Sequence, residues 1–232
     1  MLLQYFSLID DAPVAVLILI AATLTAMLLG LSVHEFSHAL VADRLGDSTP
    51  RRYGRLTLDP RAHLDPFGSL MILFAGFGWA KPTPVNPNNT QNPRMGMVLI
   101  ALGGPVSNLL IAAIAGIPLR FDLVSMSGTG GIDSAVFLIA LFFSMVVSLN
   151  VSLAVFNLLP IAPLDGFRVL VGLLPPDFGR QVERLEPWGM GILMVLFFLP
   201  FMTGFSPLLS VMGPPIRFFV RLFTGESWLL FG

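Results

Sequence analysis

From Ala12 to Val33 the chain runs 22 residues without a charged side chain. A helix over that run, rising about 1.5 Å per residue, is long enough to cross the roughly 30 Å hydrocarbon core of a bilayer. In lipid every backbone N–H and C=O must find its partner within the chain, so the run predicts a transmembrane helix. Three further apolar stretches, Met95–Leu119, Ser134–Leu159 and Trp188–Phe205, are also expected to span. Pro207–Phe223, interrupted by Gly213-Pro214-Pro215 and carrying Arg217 and Arg221, reads as a hairpin return or an interfacial helix. The expectation is an all-α polytopic membrane protein of about four to six transmembrane helices. It forms a single membrane-embedded domain over residues 1–232, because every polar stretch is too short to build its own core.

The composition supports this reading. Hydrophobic residues make up 55% and charged residues 12%, about half the usual charged share. The net charge of -1 argues nothing about nucleic acid and the basic residues are dispersed; the partner expected is the lipid bilayer itself, and no nucleic acid. Without cysteine there is neither a disulfide framework nor a thiolate zinc site. Met1–Val33 has no Lys or Arg, so it lacks the charged start of a cleavable signal peptide and is expected to be retained.

At the end of the first apolar run stands His34-Glu35-Phe36-Ser37-His38. Histidines four apart share one helix face, where two imidazoles can grip one metal ion. Glu35 lies about 100° round from His34, beside the metal, where a carboxylate can accept a proton from an activated water. This is the H-E-x-x-H arrangement of zinc hydrolases. The bland alternative is a pair of histidines satisfied by polar neighbours. It is weakened by the cost of ionisable groups at membrane depth.

A catalytic zinc usually takes three protein ligands and a water. Val41 and Arg44 stand where a metzincin would need Gly and His, and the next Glu after Glu35 is Glu183, in an expected loop. Two candidates remain. His63 sits in a polar loop and could equally cap it. Asp165 follows Pro160 and Pro163, which break the third span at membrane depth, and it could simply cap the short helix after it. Asp165 is the only carboxylate or imidazole after the motif helix in an apolar, backbone-broken setting, so it is preferred. Gly103-Gly104-Pro105-Val106-Ser107-Asn108, inside the second span, allows close helix approach. Packing alone and a polar role are equally good accounts of Ser107 and Asn108.

Arg44, Arg51, Arg52, Arg55 and Arg61 cluster in the first polar loop, whereas the residues before Ala12 carry no basic side chain. The positive-inside rule places the N-terminus outside and this loop in the cytoplasm of a cell (plasma or inner) membrane. The metal site then lies towards the cytoplasmic side. Gly54–Leu58 alternates as a short edge strand would, and Pro82–Val85 could be a second edge or a plain extended loop. Pro66–Trp79, about 14 apolar residues, is too short to span and is expected to be re-entrant or interfacial.

The motifs resemble those of the site-2 protease family of intramembrane zinc metalloproteases. His34–His38 is similar to the family's H-E-x-x-H, Gly104–Asn108 to its G-P-x-x-N, and Asn157 through Pro160 and Pro163 to Asp165-Gly166 to its N-x-x-P-x-x-P-x-D-G. The order is the same, and the likeness runs from the first helix to the Asp165 helix. The stretches around Arg55–Asp65 and Trp79–Pro87 look like the short bacterial and archaeal members, which carry neither a PDZ nor a CBS domain. The resemblance implies one zinc per chain held by His34, His38 and Asp165, with Glu35 as general base. It also implies Asn157 beside the site as a substrate or oxyanion contact, and transmembrane segments of membrane proteins as substrates, cut in regulated intramembrane proteolysis. A non-enzymatic metal-binding scaffold or regulatory relative is the main alternative. It would normally close a structural zinc with four ligands. A metal transporter would need more intramembrane carboxylates and histidines along a path.

Overall fold

The computed structural model describes residues 12–65, 67–68, 80–126 and 134–225. The first helix, α1 (Pro13–Arg44), begins with proline at its first position, where a missing N–H costs nothing. It runs for 32 residues, about 48 Å, well beyond the hydrocarbon thickness of a bilayer. It ends in a Schellman turn. Asp47 N–H donates to Ala42 O (2.9 Å) and Gly46 N–H to Asp43 O (3.2 Å), with Gly46 at φ +106°.

Short helices α2 (Thr49–Arg52) and α3 (Pro60–His63) follow, then an extended segment at residues 81–86. The second long helix, α4 (Pro93–Arg120), is capped by Asn92, whose side chain accepts from Met95 N–H (3.1 Å). The third, α5 (Ala135–Asn157), is capped by Ser134. After the proline-broken turn come α6 (Asp165–Leu173), α7 (Pro176–Glu183), α8 (Glu186–Thr203) and α9 (Pro207–Thr224). Four of these, α1, α4, α5 and α8, are long and apolar enough to cross a membrane.

Helices α1, α4 and α5 pack against one another, with α9 against α4 and α5. The buried core includes Ala26 of α1, Ala112 of α4, Val147 and Val151 of α5, and Val220 of α9. Alanine on α1 and α4 keeps the axes close, as membrane packing favours. Helix α8 buries only Gly189 and Leu193, so most of its apolar surface faces outward.

One sequence expectation changes, and two open alternatives resolve. No strand forms among the described residues: Gly54–Leu58 is turn and coil, and one isolated antiparallel bridge joins Leu64 to Ala80. The alternation there has another cause. Arg55 is buried and donates to the carbonyls of Ala62 and Lys81, knitting the loops together through a side chain rather than a ladder. Pro82–Val85 is a plain extended loop. Pro207–Phe223 is no hairpin but lies within one continuous helix, with Pro214 and Pro215 inside it. Its face of Leu208, Met212 and Val220 is buried in the core, and such packing holds a helix through prolines that would break it in water. Most of the expected re-entrant segment Pro66–Trp79 lies outside the described residues.

Candidate metal centre

His34 and His38 sit one turn apart on the buried face of α1, ring centroids 4.6 Å apart and nearly perpendicular. Helix α4 fixes both rings. His34 Nδ1 lies 2.6 Å from Asn108 Oδ1, and His38 Nδ1 lies 2.6 Å from the carbonyl of Ile100. A carbonyl oxygen only accepts, so each Nδ1 must carry the proton. Each Nε2 is then left with a lone pair. Hydrogen bonding at the far nitrogen is the arrangement that orients metal-binding histidines.

Both lone pairs point at one carboxylate. Asp165 Oδ2 is 3.1 Å from His34 Nε2 and 3.2 Å from His38 Nε2. Asp165 is the first residue of α6 and caps nothing. The turn after Pro160 and Pro163 carries its side chain towards the histidines instead.

The three atoms belong to a buried His34–His38–Asp165 group able to hold a metal ion. The donor set fits zinc. Two neutral imidazoles and a carboxylate at zinc's bond lengths of about 2.0–2.2 Å stand roughly 3.3 Å apart in a tetrahedron, close to the spacing found. Three ligands also leave the fourth position open. Gly104 of α4 makes this possible, since a Cβ there would come within 2.5 Å of His34 Nε2 and His38 Nε2.

Glu35 is buried next to this group. Its Oε2 accepts from Thr83 N–H (2.9 Å) and from Thr83 Oγ1 (2.7 Å), while no described bond reaches Oε1. Thr83 also lines a cavity of about 730 Å³ between the 82–87 segment, the start of α4, and α6 and α7. Phe167, two residues beyond Asp165, lines the same cavity, as do Arg94 and Arg168.

The structure does not bring His63 to the metal group. It is fully buried among the loops, with Nε2 2.7 Å from Thr57 O. Asn157 ends α5 and turns its amide back to Leu153 O (2.9 Å), with no described bond to the histidines, Glu35 or Asp165. Sequence reasoning left Asn108 undecided and missed Thr83 and Asp47. Asp47, fully buried after α1, accepts from Thr49 N–H, Thr49 Oγ1, Asn86 N–H and Asn89 Nδ2. Burial opposes its charge, but these donors win and hold its carboxyl below the usual range. For Thr83 a signal existed: between Pro82 and Pro84 it carries the one backbone N–H of that tripeptide.

A bundle of apolar helices enclosing two oriented imidazoles, a carboxylate and a neighbouring glutamate defines a membrane-embedded metalloprotein of hydrolase type. Comparison with known proteins agrees. Residues 122–200, which include Asn157 and Asp165, match Peptidase family M50. The chain is 44% identical over 176 residues (75% of this chain and 78% of the relative) to a Bacillus subtilis (strain 168) protein named "Putative zinc metalloprotease YwhC". It is 32% identical over 183 residues (76% and 66%) to the Mycobacterium tuberculosis (strain ATCC 25618 / H37Rv) protein "Putative zinc metalloprotease Rip2". No solved structure matches it. The chain belongs to peptidase family M50, the site-2 protease family of zinc metalloproteases.

Proposed function

We propose that this protein is an intramembrane endopeptidase that cuts transmembrane segments of other membrane proteins, with zinc held by His34, His38 and Asp165 and Glu35 as general base. The observation that carries the reading is the convergence of two Nε2 atoms and Asp165 Oδ2, with buried Glu35 next to His34 in the chain, towards the end of an apolar helix long enough to span. When bound there, zinc supplies a Lewis acid that polarises the scissile carbonyl and makes water acidic enough to deprotonate near neutral pH. Glu35 takes that proton on Oε1 and delivers it to the departing amine nitrogen, which returns the carboxylate to its starting form. His34 and His38 keep their Nδ1 protons on α4 throughout, so the ligand geometry stays fixed while the proton moves.

A substrate helix must unwind before cleavage, because its own hydrogen bonds shield its peptide groups. The cavity beside Thr83 and Phe167 is the space for the opened segment; Asn157 does not line it, and its proposed contact with substrate rests on the motif alone. The arginine-rich loop after α1 orients that side to the cytoplasm, so cleavage falls in the cytoplasmic half of the substrate helix.

The test is purified, zinc-loaded protein with a membrane-embedded reporter. Glu35→Gln is expected to keep about one zinc per chain and lose cleavage by at least about 100-fold. Full cleavage by Glu35→Gln would remove the general-base assignment. Product termini mapped to the outer half of the reporter would reverse the orientation.

A further inference from the structure

Glutamate on a helix has three rotatable bonds, and a general base works only when its oxygen is held where the proton leaves. Nothing on α1 holds Glu35. Among the described residues, both donors to its carboxylate come from a loop 48 residues away, and both come from one residue. We propose that Thr83 is a positioning residue for Glu35. Its amide and hydroxyl fix Oε2, leaving Oε1 turned to the water that loses its proton. This rests on the reading of Glu35 as general base.

The loop is built to hold that position. Pro82 and Pro84 restrict the backbone on either side of Thr83 and leave its N–H as the sole donor between them. The segment is tied at both ends. Lys81 N–H donates to His63 O (2.7 Å), and Arg55 Nη1 donates to Lys81 O (3.1 Å). Asn86 N–H donates to Asp47 Oδ2 (2.6 Å) at the end of α1, the helix that carries Glu35. Thr83 is itself buried, so its hydroxyl has little water to turn to. That hydroxyl has one proton. The 2.7 Å approach to Glu35 Oε2 is shorter than the 3.2 Å approach to Glu35 O, and the charged oxygen is the stronger acceptor. Any residue except proline would supply the amide at position 83, but the hydroxyl needs Thr or Ser.

The experiment compares Thr83→Val and Thr83→Ser with wild type, in full-length zinc-loaded enzyme with a transmembrane reporter, beside Glu35→Gln. Thr83→Val keeps the amide, the shape and the expected zinc content. It should lower kcat about tenfold, the worth of one hydrogen bond to a charged acceptor, with KM changed less than about twofold. Thr83→Ser should return kcat to within about threefold of wild type, because it restores the donor. A second readout needs no activity. In zinc-free protein, thermal melting of Thr83→Val, Glu35→Ala and the double variant should be non-additive, since one contact is removed in all three. Wild-type kcat in Thr83→Val beside an inactive Glu35→Gln would overturn the positioning role alone. Serine as impaired as valine, or an additive melting cycle, would overturn it too. Cleavage that survives Glu35→Gln would sink the general-base reading first and this proposal with it.

Discussion

Replacing Gly104 with alanine places a methyl carbon 2.5 Å from His34 Cε1, His34 Nε2 and His38 Nε2. Ordinary carbon–nitrogen contacts lie near 3.5 Å, so α1 and α4 must part by about 1 Å or the two rings must turn. Metal bonds tolerate about 0.2 Å, and either adjustment exceeds that for two of three ligands at once. Disturbing a residue that merely orients a ligand costs about 10–100-fold in affinity, so displacing two ligands should cost at least about 100-fold, near 2.7 kcal/mol. Overpacking adds about 1–3 kcal/mol of destabilisation. The assay is zinc competition against a chelator in detergent, with melting temperature read alongside. Gly103→Ala is the control, since its methyl would meet Val41 Cγ2 at 3.1 Å and Ser37 O at 3.2 Å and would touch no ligand. It should soften packing while keeping zinc affinity within about threefold. Gly104→Ala with wild-type zinc affinity would refute the claim that this glycine makes room for the metal.

Asp165→Ala removes the third ligand and should abolish stoichiometric zinc, read by metal analysis; full occupancy would return the assignment to His63 or another group. Asn108→Ala frees His34 Nδ1 and should weaken zinc binding about 10–100-fold while the protein stays folded, as a chelator titration would report. Asp47 has its carboxyl lowered in the folded state, so the stability it contributes is present above its unfolded value, near 3.9, and is lost as pH falls through the folded value. Asp47→Asn should therefore melt below wild type at pH 7, with the gap closing below about pH 4. A gap independent of pH would contradict that account.

The site was legible where its residues carry chemistry in a fixed local pattern. His34, Glu35 and His38 lie within one helical turn and a bit, so spacing alone sets their mutual geometry. Asp165 was legible because a lone carboxylate after two helix-breaking prolines is costly at membrane depth unless something engages it. What stayed hidden depends on partners distant in sequence. Asn108 meets His34 across 74 residues, Glu35 meets Thr83 across 48, and Asp47 meets Asn86 across 39. The edge strand at Gly54–Leu58 failed for a related reason. Alternation records which side chains are buried, and Arg55 is buried to serve two carbonyls rather than to face a sheet. Pro214 and Pro215 misled in the other direction, because local rules written for an isolated helix in water overstate their effect in one packed against the core.

Asp165 lies 131 residues after His34, on a helix that packs against α4. On the proposed ligand set, a growing chain that has emitted its first two-thirds holds the histidines and the glutamate but lacks the third ligand. The group that would hold the metal is thus incomplete while only α1, α4 and α5 have been made. Metal capture then joins the first helix of the fold to the sixth, and the group closes only after Asp165 has emerged.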